Sequence, residues 1–407
     1  MKTATSQSPM RLITSKNPLP FARPDITEEE IQAVERVLRS GWLTSGPEVE
    51  KFEKEFAKAV SSRHAVAVNS ATAALHLGLE TYGIGPEDAV IVPAITFTAT
   101  AEVAEYNNTL PIILDVSSED YLLDPEIINR FIQNECKYTN RGLLHNRTGR
   151  IIRAMLPVHL GGKPCNMDSL KQIAGENNLR IIEDAAHAFP SSYKNKKIGS
   201  IGDITAFSFY ATKNLTTGEG GMLTTNNGKI AEHLRRIRLH GIKGQTYGRK
   251  RWKYDVVERG YKYNMTDMAA AMGRVQLKRS EEMLLRRKEI TNRYYDALSQ
   301  ISGIALPPPS PHAESYHLFM IEIKKTARYD RNKFVEAMFR EGIQTSLHFI
   351  PLYRHTYYKK KYSLTNRDYP NSEEFFSKIV SLPLCSAMSE ENVEAVIFAV
   401  KKVMTRS

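Results

Sequence analysis

The chain has 407 residues, 42% hydrophobic and 25% charged, a balance that excludes a disordered or fibrous protein and leaves room for two domains. Basic residues outnumber acidic ones by 56 to 45, and the resulting charge of +11 favours an anionic partner without naming one. Cys136, Cys165 and Cys385 are scattered and form no Cys-x-x-Cys pair, which argues against a disulfide framework or a zinc site, so no metal is expected.

Residues 1–16 are polar and are expected to be a flexible N terminus. No stretch has the length of a signal-peptide h-region or of a membrane span, so a cytoplasmic protein without membrane contact is expected. Pro18 to Pro24 reads as extended chain. Thr27-Glu28-Glu29-Glu30 then forms a capping box before Ile31, Val34, Val37 and Leu38 at helical spacing, and Gly41 ends that helix. Val49, Phe52, Phe56 and Val60 mark one face of a second helix. Strands are predicted at Ala65–Val68, Val90–Pro93, Pro111–Asp115, Ile151–Val158, Leu179–Glu183, Ile204–Ser208 and Gly221–Thr225, with helical stretches between most of them.

This alternation predicts an α/β fold with a mainly parallel sheet of seven strands, covered by helices on both faces. Lys137 to Arg150 is polar and basic and reads as a surface loop or small insertion. Met265 to Gln300 reads as one continuous helix, and the run Pro307-Pro308-Pro309-Ser310-Pro311 marks a break. Beyond it, Tyr316–Ile323, Arg331–Arg340 and Glu390–Met404 suit a smaller α/β unit. The expected division is a large domain over 17–290 and a small C-terminal domain over 291–407.

The densest basic stretch runs from Arg235, Arg236 and Arg238 through Lys243, Arg249, Lys250 and Arg251 to Lys253. It has neither the aromatic pattern of an RNA-recognition motif nor a zinc-finger spacing, so no nucleic-acid partner is expected. A solvated surface and a contact to a diphosphate-bearing small substrate are the two readings of it.

Chemistry enters with two residues. Asp184 ends the apolar run Ile181-Ile182-Glu183, where the carboxyl end of a buried strand would lie, and Lys213 follows twenty-nine residues later among small, hydroxylic and glycine neighbours. Pyridoxal phosphate needs both: a lysine for its Schiff base and an acid for its protonated pyridine nitrogen. Ser208, five residues before Lys213, and the small-residue segment Asn69-Ser70-Ala71-Thr72 at an apparent helix start suit a phosphate, because helix N-termini present unpaired N–H donors. Singly these signals are weak, since an acid at a strand end also caps helices and small residues also make plain turns.

Together with Gly41-Trp42-Leu43-Thr44-Ser45-Gly46-Pro47, Pro93-Ala94-Ile95-Thr96-Phe97 and Gly260-Tyr261-Lys262-Tyr263-Asn264, these segments run through nearly the whole chain in a characteristic order. In them the chain resembles the DegT/DnrJ type of nucleotide-sugar aminotransferase, within fold type I of the pyridoxal phosphate enzymes. The resemblance implies that Lys213 carries the Schiff base, Asp184 binds the pyridine nitrogen, Phe97 stacks on the ring and His187 stands near its phenolic oxygen. It implies phosphate contacts from Ala71, Thr72 and Ser208, with Ala71 where many relatives have glycine. Asn264 matches a residue given to the phosphate from a partner subunit, which implies a homodimer with shared active sites. Trp42, His348 and Tyr353 are candidates for the sugar pocket, although Trp42 and Tyr353 equally suit packing.

The implied reaction moves an amino group from L-glutamate to a nucleotide-linked keto-deoxy sugar. Relatives acting at C4 carry forms similar to Thr216-Thr217-Gly218-Glu219-Gly220-Gly221, whereas many C3 enzymes have Asp before the paired glycines, so C4 is favoured. A sugar dehydratase of the same fold would replace Lys213. A regulatory protein that binds a nucleotide sugar without turnover would not need the full set of Lys213, Asp184, Ser208 and Asn264.

Overall fold

The computed structural model describes residues 13–244 and 253–405. Helix α1 (Glu28–Ser40) begins as its sequence requires: the Thr27 N–H donates to the Glu30 carboxylate at 2.8 Å, closing one half of the capping box. It ends on Gly41 at φ +74°, a left-handed conformation that side chains with a Cβ resist. Helix α2 (Pro47–Ala59) starts on a proline that pre-sets the first turn, and it buries Val49, Phe52 and Phe56.

Seven of the strands are those the apolar runs predict: β1 (His64–Val68), β2 (Asp88–Pro93), β3 (Leu110–Leu114), β6 (Ile151–Met155), β7 (Arg180–Asp184), β10 (Ile204–Ser208) and β11 (Gly221–Thr225). Between them lie β4 (Cys136–Thr139) and β5 (Gly142–His145), and the short pair β8 (Ser192–Tyr193) and β9 (Lys196–Lys197). The main sheet runs β1-β11-β10-β7-β6-β2-β3. The pairs from β10 to β3 are parallel, and β11 is antiparallel to both its neighbours.

One expectation needs correction. Lys137 to Arg150 is not a plain loop, because β4 and β5 form a hairpin whose Leu143 and Leu144 pair with Ile152 and Ile151 of β6. Leu143 is buried there, so the hairpin extends the sheet to nine strands. The charged residues around it hid a short alternating pattern.

The sheet is apolar on both faces, as buried parallel strands demand. Ala65, Ala67, Ile91 and Phe207 point into one core with α2, while Val66, Val68, Val92 and Ala206 point into the other with α3 (Ala71–Thr81). Phe56 sits 5.1 Å from Phe207 and 5.3 Å from Phe209, ring centre to ring centre. Each such buried ring contributes about 1.5–3 kcal/mol. Because strand side chains alternate, Phe207 and Phe209 facing this core turn Ser208 the other way.

Strand β12 (Ile242–Gly244) carries Lys243 of the basic segment and pairs with β13 (Tyr254–Val256) just after it, and Arg249, Lys250 and Arg251 lie outside the described residues. A third core surrounds the antiparallel sheet of β14 (Ile304–Ala305), β15 (Phe319–Ile323) and β16 (Ile379–Leu382). The long helix Asp267–Leu298 joins the cores: Ala270 packs with the main sheet, and Ile290, Tyr294 and Leu298 pack with the smaller one. Leu19 also enters the smaller core and pairs with Ile343, so residues near both ends of the chain meet there. Among the described residues no helix is long and apolar enough to cross a membrane.

Candidate active site

In an open sheet of parallel strands, ligand sites form at the carboxyl ends. Here β7 ends on Asp184, β10 ends on Ser208, and β1 leads through Asn69 to α3. The Ser70 hydroxyl caps α3 by accepting from the Ala73 N–H at 3.0 Å. The first amides of the helix, at Ala71 and Thr72, have no intrahelical acceptor, so this end offers donors and a positive dipole. Gly221 opens β11 directly against it. A Cβ at Gly221 would stand 2.5 Å from the Ser70 carbonyl carbon and 2.8 Å from the Ala71 nitrogen, so only glycine admits this approach.

Lys213 rides on a loop tied at its neck. The Phe209 N–H donates to Gly220 O, and the Thr217 N–H donates to Phe209 O, both at 2.9 Å. The Asn214 side chain anchors the next position by donating to Ser315 O at 2.6 Å. Lys213 keeps part of its surface open to a cavity of about 370 Å³ but is densely surrounded by protein atoms. That surrounding removes water from the amine and pushes its pKa down to about 8, against the opposing pull of Asp184.

Asp184 is buried in the wall of the same cavity. Burial raises its pKa, and two neutral donors work against the rise: Thr100 Oγ1 at 2.7 Å to Oδ2 and the Ala186 N–H at 3.1 Å to Oδ1. No ion pair compensates this carboxylate among the described residues. It is a buried acid prepared for a cationic partner. His187 is buried beside it, and its Nδ1 accepts from the Gly161 N–H at 3.2 Å, which leaves the proton on Nε2. Burial, with Lys213 and His348 nearby, holds His187 well below the usual histidine range. His348 is pushed down to about 3 by burial and Lys213, and its Nδ1 meets Ser381 Oγ at 2.9 Å.

The cavity thus brings together Lys213, Asp184, His187 and Ser208 with Ala71 and Thr72, and it adds Phe97 and His348 on its walls. Three candidates lie elsewhere. Trp42 lines a separate cavity of about 570 Å³ between α1, α2 and the long helix, and its indole N–H donates to Ser45 O at 3.1 Å. Tyr353 is wholly buried and stacks on Tyr369 at 4.2 Å, so it is core packing and not part of the cavity wall. Within this chain Asn264 is not among the residues lining the Lys213 cavity. Its Nδ2 donates to Ser45 Oγ at 2.8 Å, Lys262 bonds its Oδ1, and it lines a separate charged cleft with Arg235, Arg238 and Glu53.

Several residues of the site were not foreseen. Thr100 is detectable in retrospect, four residues after Thr96 at a helix start, where two hydroxyls share a face; they lie 2.6 Å apart. His317 and Phe349 also line the cavity. They come from the segment leading into β15 and from the stretch before β16, and no local pattern announces that they return to the main sheet.

Residues 24–401 match the DegT/DnrJ/EryC1/StrS aminotransferase family. The spore coat polysaccharide biosynthesis protein SpsC of Bacillus subtilis is 42% identical over 395 residues, covering 95% of this chain and 97% of that protein. Among solved structures, Spr1654 from Streptococcus pneumoniae, described as a sugar aminotransferase and solved in its PMP form, superposes with a TM-score of 0.86 at 33% identity. That match covers 95% of this chain and 98% of the other. DesV of S. venezuelae, solved in complex with a ketimine intermediate, gives a TM-score of 0.82 at 33% identity, covering 93% and 95%.

Proposed function

The chain belongs to the DegT/DnrJ/EryC1/StrS aminotransferase family, and from that premise we propose that it moves an amino group from L-glutamate to the C4 keto group of a nucleotide-linked keto-deoxy sugar. It is a pyridoxal-phosphate-dependent sugar aminotransferase of the fold type I class. The observation that carries the site assignment is the meeting of the Lys213 amine and the buried Asp184 carboxylate in one cavity at the ends of parallel strands.

The residues present fit the cofactor. Asp184 has only neutral hydrogen-bond donors and would hold the ring nitrogen. The α3 amides at Ala71 and Thr72, the Thr72 hydroxyl and Ser208 would hold the phosphate, at the approach that Gly221 permits. Phe97 would cover a ring face, and His187, with its proton on Nε2, would donate to the phenolic oxygen. When bound, pyridoxal phosphate supplies an electron sink for the pair left behind as the donor carbon loses its proton.

Lys213 does the proton work. Its Nζ takes the α-proton of the amino acid in one half-reaction and returns a proton to the sugar carbon in the other. A pKa near 8 keeps a useful neutral fraction at physiological pH, where an exposed lysine would have almost none. Asp184 would face the ring nitrogen and keep it protonated when the cofactor is bound. Asn264 would reach the phosphate of a partner subunit in a homodimer, in keeping with its place outside the Lys213 cavity of its own chain.

The C4 preference rests on the Thr216–Gly221 form, in which Glu219 lines the cavity before Gly220 and Gly221. SpsC bears a name in spore coat polysaccharide synthesis, and a role in building a surface glycan is the corresponding reading here. Incubation with glutamate and a panel of UDP-, dTDP- and GDP-linked 3-keto and 4-keto sugars tests nucleotide, position and donor together. Amination of 3-keto sugars alone would overturn the C4 reading. A wild type that stays colourless with added pyridoxal phosphate, or a Lys213→Ala variant that is still trapped by borohydride, would overturn the role of Lys213.

A further inference from the structure

Residues 315–318 cross from the proline-rich break to β15 and pass directly behind the Lys213 loop. Ser315 Oγ donates to His187 O at 2.5 Å, and the His317 and Leu318 N–H groups both donate to Gly161 O, at 3.1 and 3.3 Å. The Asn214 amide donates to Ser315 O at 2.6 Å, which turns its Oδ1 toward His317 Nδ1 at 3.0 Å. An amide oxygen can only accept, so His317 carries its proton on Nδ1. Its ring lies 4.3 Å from that of His187, centre to centre, and it lines the cavity from a buried position.

We infer that His317 is a positioning residue for Lys213: its Nδ1–H bond to Asn214 fixes the position beside the lysine and ties the amine-bearing loop to the smaller sheet. The inference rests on the proposed role of Lys213 as the reacting amine. Geometry favours positioning through the identity of the partner: the buried N–H is satisfied by Asn214, the residue next to Lys213, whose amide is at the same time bound to Ser315 O. The groups that act on His317 are His187, Lys213, Arg287 on the long helix and His348. Burial and these neighbours keep His317 neutral, so its single donated bond persists across the pH range in which Lys213 titrates. A cationic residue in this place would instead repel the protonated amine.

The test compares His317→Phe, which fills the space without a donor, with His317→Asn, whose amide nitrogen stands in for Nδ1. In cofactor-free protein, the pH dependence of reductive methylation at Lys213, read by peptide mass spectrometry, reports the amine itself. In His317→Phe the midpoint is expected to move by about half a pH unit or more, and capture of pyridoxal phosphate, followed at the visible band, to slow about tenfold. His317→Asn is expected to restore both. Asn214→Ala removes the same bond together with the one to Ser315 O, and the double variant is expected to be no worse than Asn214→Ala alone. If His317→Phe does not fold, Asn214→Ala carries the comparison, since it leaves the buried ring in place. An unchanged midpoint and capture rate, or losses that multiply in the double variant, would overturn the inference while leaving Lys213 in its role. A wild type that forms no band would overturn the role of Lys213 and the inference with it.

Discussion

The Thr100 hydroxyl donates to Asp184 Oδ2 across 2.7 Å from a position wholly shut off from water. The Thr96 hydroxyl lies 2.6 Å behind it, so the carboxylate is held by a short relay of neutral groups. Replacing Thr100 with valine keeps the shape and removes the donor. Cofactor affinity is expected to fall about tenfold, near the cost of one hydrogen bond to a charged group. Asp184→Asn should still bind cofactor but lose turnover by about a hundredfold or more. An absorbance titration gives the first number and single-turnover kinetics the second; equal affinities for wild type and Thr100→Val would show that the relay is idle.

Lys213 predicts a pH effect on stability. Its pKa falls from 10.5 in an ordinary lysine to about 8 in the folded protein. Between those values the unfolded chain holds a proton that the folded chain lacks, so stability rises with pH in that window. Below about pH 8 both states are protonated and the full penalty remains, roughly 3 kcal/mol. Cofactor-free Lys213→Met should therefore melt above wild type at pH 7, with the gap closing as pH approaches 10.5. A gap that is constant across this range would show that the amine is not desolvated.

Gly221→Ala tests the contact between β11 and α3. The added methyl meets backbone atoms, which cannot swing aside as a flexible side chain would. A loss of about 1–3 kcal/mol in stability is expected, together with weaker binding of pyridoxal phosphate and of inorganic phosphate as its competitor. If stability falls while both affinities hold, the α3 end is not the phosphate cradle.

Tyr353→Ala should cost about 3 kcal/mol by emptying the space beside Tyr369. The visible spectrum of the cofactor-loaded protein should stay as it is, because Tyr353 is buried away from the cavity. A changed spectrum with an unchanged melting temperature would return Tyr353 to the site.

Much of this was legible in the chain, and the exceptions have physical causes. The seven strands and the long helix announced themselves through apolar runs and helical spacing, since a parallel sheet must bury both faces. Asp184 and Lys213 were readable because strand ends and glycine-flanked loops are local features. His317 was not, because it acts through a partner distant in sequence, and Thr100 left only its spacing from Thr96 as a trace of its contact with Asp184. The hairpin at 136–145 was obscured because its buried residues are few and its charged neighbours many. Tyr353 had the residue type of a pocket wall, and only packing against Tyr369 decides its place.

The pairing of Leu19 with Ile343 carries a consequence for synthesis. The partner of Leu19 leaves the ribosome long after it: at about 5–20 residues per second the delay is roughly a quarter of a minute to a minute. Until then Leu19 lacks its place in the smaller core, while the main sheet already has its own strands. The smaller core closes only after its late strands have emerged, and His317, His348 and Phe349 also lie late in the sequence, so the cavity wall is completed well after the Lys213 loop has been made. A chain cut short before Ile343 would display a finished lysine loop with one side of its chamber missing.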